Sequence, residues 1–209
     1  MHIIAIGQQK GGVGKSSLAI NLACQAVAAG KMAAVVDMDA EQGTAARWGN
    51  RRSEPAPSVV TADARTLMSE LAKLRGSGAQ WAFLDLPGRA APIATAGMKA
   101  AEFVLIPCRP VDVDIEASIT TVQGIVRSGK AYAYLMNIVP QGSTVRAKKV
   151  LKALEDAGHP TCPVIIGQKA EVPDAIARGK GINEVGAKGA ASKDFAELFV
   201  WLNSQVRTV

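Results

Sequence analysis

Between Gly11 and Ser17 the chain reads Gly-Gly-Val-Gly-Lys-Ser-Ser: glycines first, then an amine and two hydroxyls. That order suits phosphate. With no side chains at Gly11, Gly12 and Gly14, the backbone N–H groups of the loop, Val13 included, can turn inward around phosphate oxygens. A helix opening here adds its positive N-terminal end. Lys15 is placed for the β- and γ-phosphates of a nucleotide. The Ser16 hydroxyl suits Mg²⁺, and the Ser17 hydroxyl suits the α-phosphate. An ordinary glycine-rich turn accounts for the glycines, but not for Lys-Ser between a strand and a helix.

Acidic residues stand where such a site needs them. Asp37 and Asp39 follow the apolar run MAAVV, and Asp85 ends the run WAFL. Carboxylates beside a γ-phosphate must be held by metal or lysine, because bare anions repel. Asp85 is placed to accept from a Mg²⁺-bound water, and the Pro87-Gly88 turn after it can respond to the γ-phosphate. Taken alone, an aspartate at a strand end is a common Asx turn; the phosphate loop turns the reading towards metal. One residue exceeds a minimal site: a second lysine, Lys10, directly before the glycines.

Short β-rich runs alternate with helical segments and must bring these residues together. The pattern predicts strands over His2–Gly7, Met32–Asp37, Trp81–Asp85, Phe103–Pro107 and Tyr132–Val139. Helices are expected over Ser16–Ala29, Gly43–Arg51, Asp63–Leu74 (with Asp63 as its cap), Asp112–Arg127, Thr144–Ala157 and Ser192–Val206, with a small one near Asp174. Such alternation means right-handed crossovers: an α/β fold, a mostly parallel twisted sheet flanked by helices, in one domain over 1–209. Ligands in such sheets bind beyond the carboxyl ends of the strands. The loops to watch are Gln8–Ser16, Met38–Gly43, Leu86–Arg89 and the stretch after Asn137.

Composition sets the background. Apolar residues are 48% and charged residues 20%, a globular balance, while aromatics at 4% leave Ala, Val, Ile and Leu to fill the core. A net charge of +6 favours a polyanionic partner. Cys24, Cys108 and Cys162 are too scattered for a disulfide framework or a zinc site and read as small buried hydrophobes in a reducing compartment. The N-terminus lacks the marks of a signal peptide, and no apolar run approaches the ~20 residues that span a bilayer. A cytoplasmic protein without membrane attachment is expected.

The common loop pattern GxxxxGK[ST] would place glycine at position 9; this chain has Gln9, then Lys10. The stretch KGGVGKS is similar to the deviant Walker A motif of the ParA/MinD family. Asp37-Met38-Asp39-Ala40-Glu41-Gln42-Gly43 resembles that family's DxDPQG segment, with Ala40 for proline and Glu41 as an extra residue. WAFLDLPG resembles its Walker B strand and switch II turn, and FVLIPCRPVDVDIEA its IP-containing strand and the helix that helps to form a dimer face. The resemblance runs along nearly the whole chain. It implies a P-loop NTPase fold, ATP and Mg²⁺ as cofactors, and a homodimer formed on ATP binding with two nucleotides at the interface. In that family the lysine matching Lys10 reaches across to the partner's nucleotide, where a second cation stabilises charge moving onto the bridging oxygen. The resemblance also gives Asp39 the attacking water, Asp37 the Mg²⁺ shell and Asn137 a place near the adenine. A plain polar strand-end role for Asn137 stays open. Where the family often has Pro-Arg, this chain reads Gly167-Gln168-Lys169.

The segment Thr144–Ala157 places Ala147, Val150, Leu151 and Leu154 on one helical side and Arg146, Lys148, Lys149 and Lys152 over the other. A solvated surface helix is the plain reading. The resemblance implies contact with nonspecific DNA through its phosphates, extended by Lys169, Arg178, Lys180 and Lys188. It further implies slow ATP hydrolysis, nucleoid association when ATP-bound, and a centromere-binding partner protein that stimulates hydrolysis. The rivals are a positioning ATPase with a protein cargo, a MinD-like one on membrane, and a metabolic ligase of the dethiobiotin-synthetase type, against which Lys10 argues. Phe195, Leu198, Phe199, Leu202 and Val206 at helical spacing suit a closing helix packed on the sheet.

Overall fold

Strand β1 (His2–Ile6) shows why the sheet needs cover on both sides. Ile4 and Ile6 point into one core, Ile3 and Ala5 into the other, and all four are buried. The same alternation divides Val35 from Val36 on β2 (Ala33–Asp37) and Phe83 from Leu84 on β4 (Trp81–Asp85). Strands buried on both faces read as continuous apolar runs and belong to parallel sheets. With β3 (Ser58–Thr61), β5 (Phe103–Cys108), β6 (Ala131–Val139) and β7 (Thr161–Gly167) they form a seven-stranded sheet in the order β3-β2-β4-β1-β5-β6-β7. Every pairing is parallel, where the sequence predicted a mostly parallel sheet. The computed structural model describes residues 1–88 and 91–206.

Helices α1 (Lys15–Ala28), α2 (Thr44–Arg51), α7 (Glu171–Ala177), α8 (Ile182–Gly186) and α9 (Ala190–Val206) cover one face. Helices α3 (Leu67–Gly76), α4 (Ala91–Ala100), α5 (Asp112–Arg127) and α6 (Thr144–Asp156) cover the other. Nine consecutive residues of α1, Leu18 to Ala26, are buried, and small side chains at Ala19, Ala23 and Ala26 let it lie close to the strands. Helix α9 buries Phe195, Leu198, Phe199, Leu202 and Val206, as expected of a closing helix. Among the described residues no helix is long and apolar enough to cross a membrane.

Five elements depart from the sequence expectation. Helix α3 begins at Leu67, not Asp63, because the Asp63 carboxylate accepts from the N–H groups of Arg65 and Thr66 and holds 63–66 in a turn. Helices α4 and α8 and strands β3 and β7 have no counterpart among the expected elements: α4 is rich in Ala, α8 has only five residues, and β3 and β7 are the two edge strands. Arg89 of the expected Leu86–Arg89 loop lies outside the described residues.

Candidate functional site

Register assembles the site. Ile6 of β1 pairs with Asp85 of β4, and Asp85 with Asp37 of β2. Three neighbouring strands thus end at one level, and the loops leaving them face each other. The loop from Gly7 carries Gly14 as the N-cap of α1 at φ 85°, a backbone conformation open chiefly to glycine. A side chain there would also collide, since a Cβ would lie 2.5 Å from Asn137 Nδ2.

Lys15 projects from the first turn of α1 and donates to the Lys10 carbonyl at 3.3 Å. Burial lowers its pKa, and the nearby Asp85 and Asp39 carboxylates oppose that effect. Asp85 is 1% exposed, and its Oδ2 has no hydrogen-bond partner among the described residues. Burial pushes its pKa up to about 7; the Ser16 hydrogen bond and Lys15 pull downward, and Asp37 and Asp39 push further up. An orphaned carboxylate oxygen beside a hydroxyl and an amine fits a hydrated Mg²⁺ next to a polyphosphate. Ser16 and Asp85 would hold that ion, which would neutralise phosphate charge. Among the described residues no three His, Cys, Asp or Glu side chains cluster as a ligand set.

Asp37 is placed differently from Asp85. Its Oδ1 accepts from the Asp39 N–H at 3.0 Å and its Oδ2 from the Ala46 N–H at 2.8 Å. It thereby caps α2 from a distance and brackets the loop between. Asp39 is half-buried; its Oδ1 accepts from the Gln42 N–H and its carbonyl from the Gly43 N–H. Gly43, at φ 51°, closes this turn, which absorbs the extra Glu41.

Two cavities meet at the start of α1. One, about 710 Å³, is lined by Gly11, Gly12, Gly14, Lys15, Ser16, Ser17, Asp39, Gln42 and Gly88. The other, about 290 Å³, is walled by Ile138, Ile166, Val172, Pro173 and Phe195, with Asn137, Gln168 and Lys169 as polar groups. Ser17 lines both, so a polar cradle and an apolar slot share one helix turn. Val13 is buried, and its carbonyl accepts from Asn137 Nδ2 at 2.7 Å. Asn137 therefore clamps the loop as well as lining the slot. Beside it Ile138 has φ 53°, a left-handed backbone that a β-branched residue adopts only under strain.

Lys10 does not wave in solvent. Its Nζ lies 2.6 Å from Oδ1 of Asp114, whose side chain is fully buried in the first turn of α5. Arg109 grips the same carboxylate through Nε at 2.8 Å and Nη2 at 3.0 Å. Burial works to raise the Asp114 pKa, but the hydrogen bonds from Arg109 and Lys10 prevail and bring it down to about 2. Gln8 ties the two segments together again, donating to the Asp114 carbonyl at 3.1 Å and accepting from the Gln9 N–H. Sequence reasoning missed Asp114, Arg109, Gln8 and Ile138. Asp114 shares its helix turn with Asp112, and nothing in the spacing tells the buried acid from the exposed one.

On α6, Lys148, Lys149 and Lys152 are exposed and flank a shallow groove with Val145, while Lys152 also pairs with Asp156. Arg146 points elsewhere on the helix, with Nη2 3.9 Å from Asp112. Ala147, Leu151 and Leu154 face the core.

Known proteins share this fold. The family described as the CobQ/CobB/MinD/ParA nucleotide binding domain matches residues 4–182. The maintenance of carboxysome distribution protein A of Halothiobacillus neapolitanus is 25% identical over 201 residues, 91% of each chain. The chromosome-partitioning ATPase Soj of Thermus thermophilus is 31% identical over 132 residues, 50% of this chain and 53% of its own. The septum site-determining protein MinD of Pyrococcus horikoshii, solved with Mg-ADP, superposes with a TM-score of 0.76 at 16% identity, covering 98% of this chain and 97% of MinD. Phosphate loop, parallel sheet and family match agree: the chain belongs to the CobQ/CobB/MinD/ParA nucleotide-binding family, as a ParA/MinD-type P-loop ATPase.

Proposed function

We propose that this chain is a nucleotide switch that closes into a homodimer on two Mg-ATP molecules, holds nonspecific DNA in that form, and lets go after slow hydrolysis. The observation that carries this reading is the grouping of Lys15, Ser16, Asp39 and Asp85 about one glycine loop, with Lys10 as a second cation beside it. Lys15 holds the phosphates of its own protomer, and Lys10 serves those of the partner. Asp39 orients the attacking water, Asp37 supports the Mg²⁺ surroundings through the loop it brackets, and Asn137 stands by the adenine. Lys148, Lys149 and Lys152 present one exposed basic face to DNA phosphates, and dimerisation doubles it; Arg146 adds charge at its margin. Hydrolysis is stimulated by a partner protein bound to the cargo, which for a ParA-type ATPase is a plasmid or chromosome centromere complex. A second cargo is supported by the carboxysome-distribution relative, whose match takes in 91% of both chains: a protein assembly that is distributed in the cell.

DNA retention measured with ATP, with ADP and with no nucleotide tests this. Retention is expected with ATP only. Charge reversal at Lys148 and Lys149 should weaken it and flatten the salt dependence, by about 0.9 in log–log slope for each phosphate that is no longer neutralised. Equal retention in all three nucleotide states refutes the switch, and unchanged binding by the reversed variant removes α6 from the interface. Asp39→Ala is expected to trap the ATP dimer on DNA; normal turnover would take Asp39 out of catalysis.

A further inference from the structure

We infer that Asp114 is a positioning residue that parks Lys10 on its own protomer, and that Arg109 is the standing counter-ion that lets Lys10 leave. This rests on the reading above, in which Lys10 serves the partner's nucleotide. The Asp114 side chain is fully buried, and two cations meet it: Lys10 at 2.6 Å and the Arg109 fork at 2.8 and 3.0 Å, with the Arg109 backbone N–H at 3.1 Å. The two cations differ in kind. A guanidinium fork engages both carboxylate oxygens at once, whereas an ammonium on a four-carbon stem is a mobile point charge. The Lys10 side chain is 27% exposed and sits at the rim, so it can depart while Arg109 stays. A buried carboxylate stripped of every cation would be costly, and Arg109 removes that cost from the release step. Gln8 keeps the phosphate loop tied to the Asp114 backbone whether Lys10 is parked or not.

Parking withdraws Lys10 from the dimer-competent population, so apparent ATP affinity for dimerisation falls by the fraction released. The two neighbours of Lys10 should therefore act in opposite directions. Asp114→Asn frees Lys10, and the ATP concentration for half-maximal dimerisation should fall by about fivefold, the scale of a partly exposed ion pair. Arg109→Gln leaves Lys10 as the only cation on a buried anion, and that concentration should rise by a similar factor. A purely structural contact would weaken dimerisation in both variants. The experiment is light scattering against ATP concentration, together with acetic anhydride labelling of Lys10 in nucleotide-free protein, read by mass spectrometry. Labelling should increase in Asp114→Asn and decrease in Arg109→Gln. Shifts of the same sign, or labelling that neither change alters, overturn the parking role. Should Asp114→Asn not fold, Arg109→Gln decides alone: an unchanged or lowered ATP requirement rejects the inference. A wild-type chain that stays monomeric with ATP rejects the dimer reading beneath it, a result distinct from a dimer indifferent to both changes.

Discussion

Gly14 carries two demands at once: a left-handed backbone and room for the Asn137 amide. Gly14→Ala is expected to cost roughly 1–3 kcal/mol from backbone strain, and more once the amide is pushed off the Val13 carbonyl. Thermal denaturation and titration with a fluorescent ATP analogue would show both a lower Tm and weaker binding; a variant matching the wild type in both would dismiss the constraint. Most of this chemistry is legible from types and spacing, since glycines, Lys15 and Ser16 lie next to one another in the chain. The Asp114 contacts are not. Those to Lys10 and Gln8 join residues about a hundred positions apart, and burial of an acid depends on which side of α5 meets the phosphate loop. The strain at Ile138 is hidden for a different reason: its side chain advertises a regular strand, while the pairing of β6 with β7 shifts register between Met136 and Val139.

Among the elements, α9 contributes most plainly to stability. Leu202 is fully buried against the face covered by α1, and Leu202→Ala is expected to cost about 2–5 kcal/mol, measured by denaturant unfolding. A cost within experimental error would mean that α9 is not packed as described. Long periodic helices such as α5, α6 and α9 can be read to within a few residues. Edge strand β3 and helix α3 are harder, because local hydrogen bonding at Asp63 competes with the helix and delays its start. Helix α4 lies against the turn after β4. A Cβ on Gly97 would press on the Leu86 side chain, so a larger residue there makes Leu86 shift where the helix crosses that turn.

For the molecule as a whole, the parallel sheet is legible because its strands are apolar on both faces, whereas the strand order follows only from the crossovers. Two depressed carboxylates, one on each side of the sheet, make the fold acid-sensitive. Asp114 falls from the ordinary 3.8 to about 2. Glu184 is also lowered: burial opposes the shift, but its hydrogen bonds from Arg52 and the Gly181 N–H outweigh it. Groups bound more weakly by protons in the folded state stabilise it above their ordinary pKa and lose that contribution as pH falls through the depressed one. The wild type should thus lose stability from about pH 4.5 downwards, to about pH 2 for the Asp114 part. Asp114→Asn should show a shallower decline of Tm over that window; identical slopes would reject the assignment. The Asp37 carboxylate has a different consequence. One oxygen fixes the start of the segment from 39 to 46 and the other fixes its end. Length differences between those anchors stay local, so homologues can gain or shed a residue there with strand and helix unmoved, and fixed-spacing motif searches across it will mispair residues.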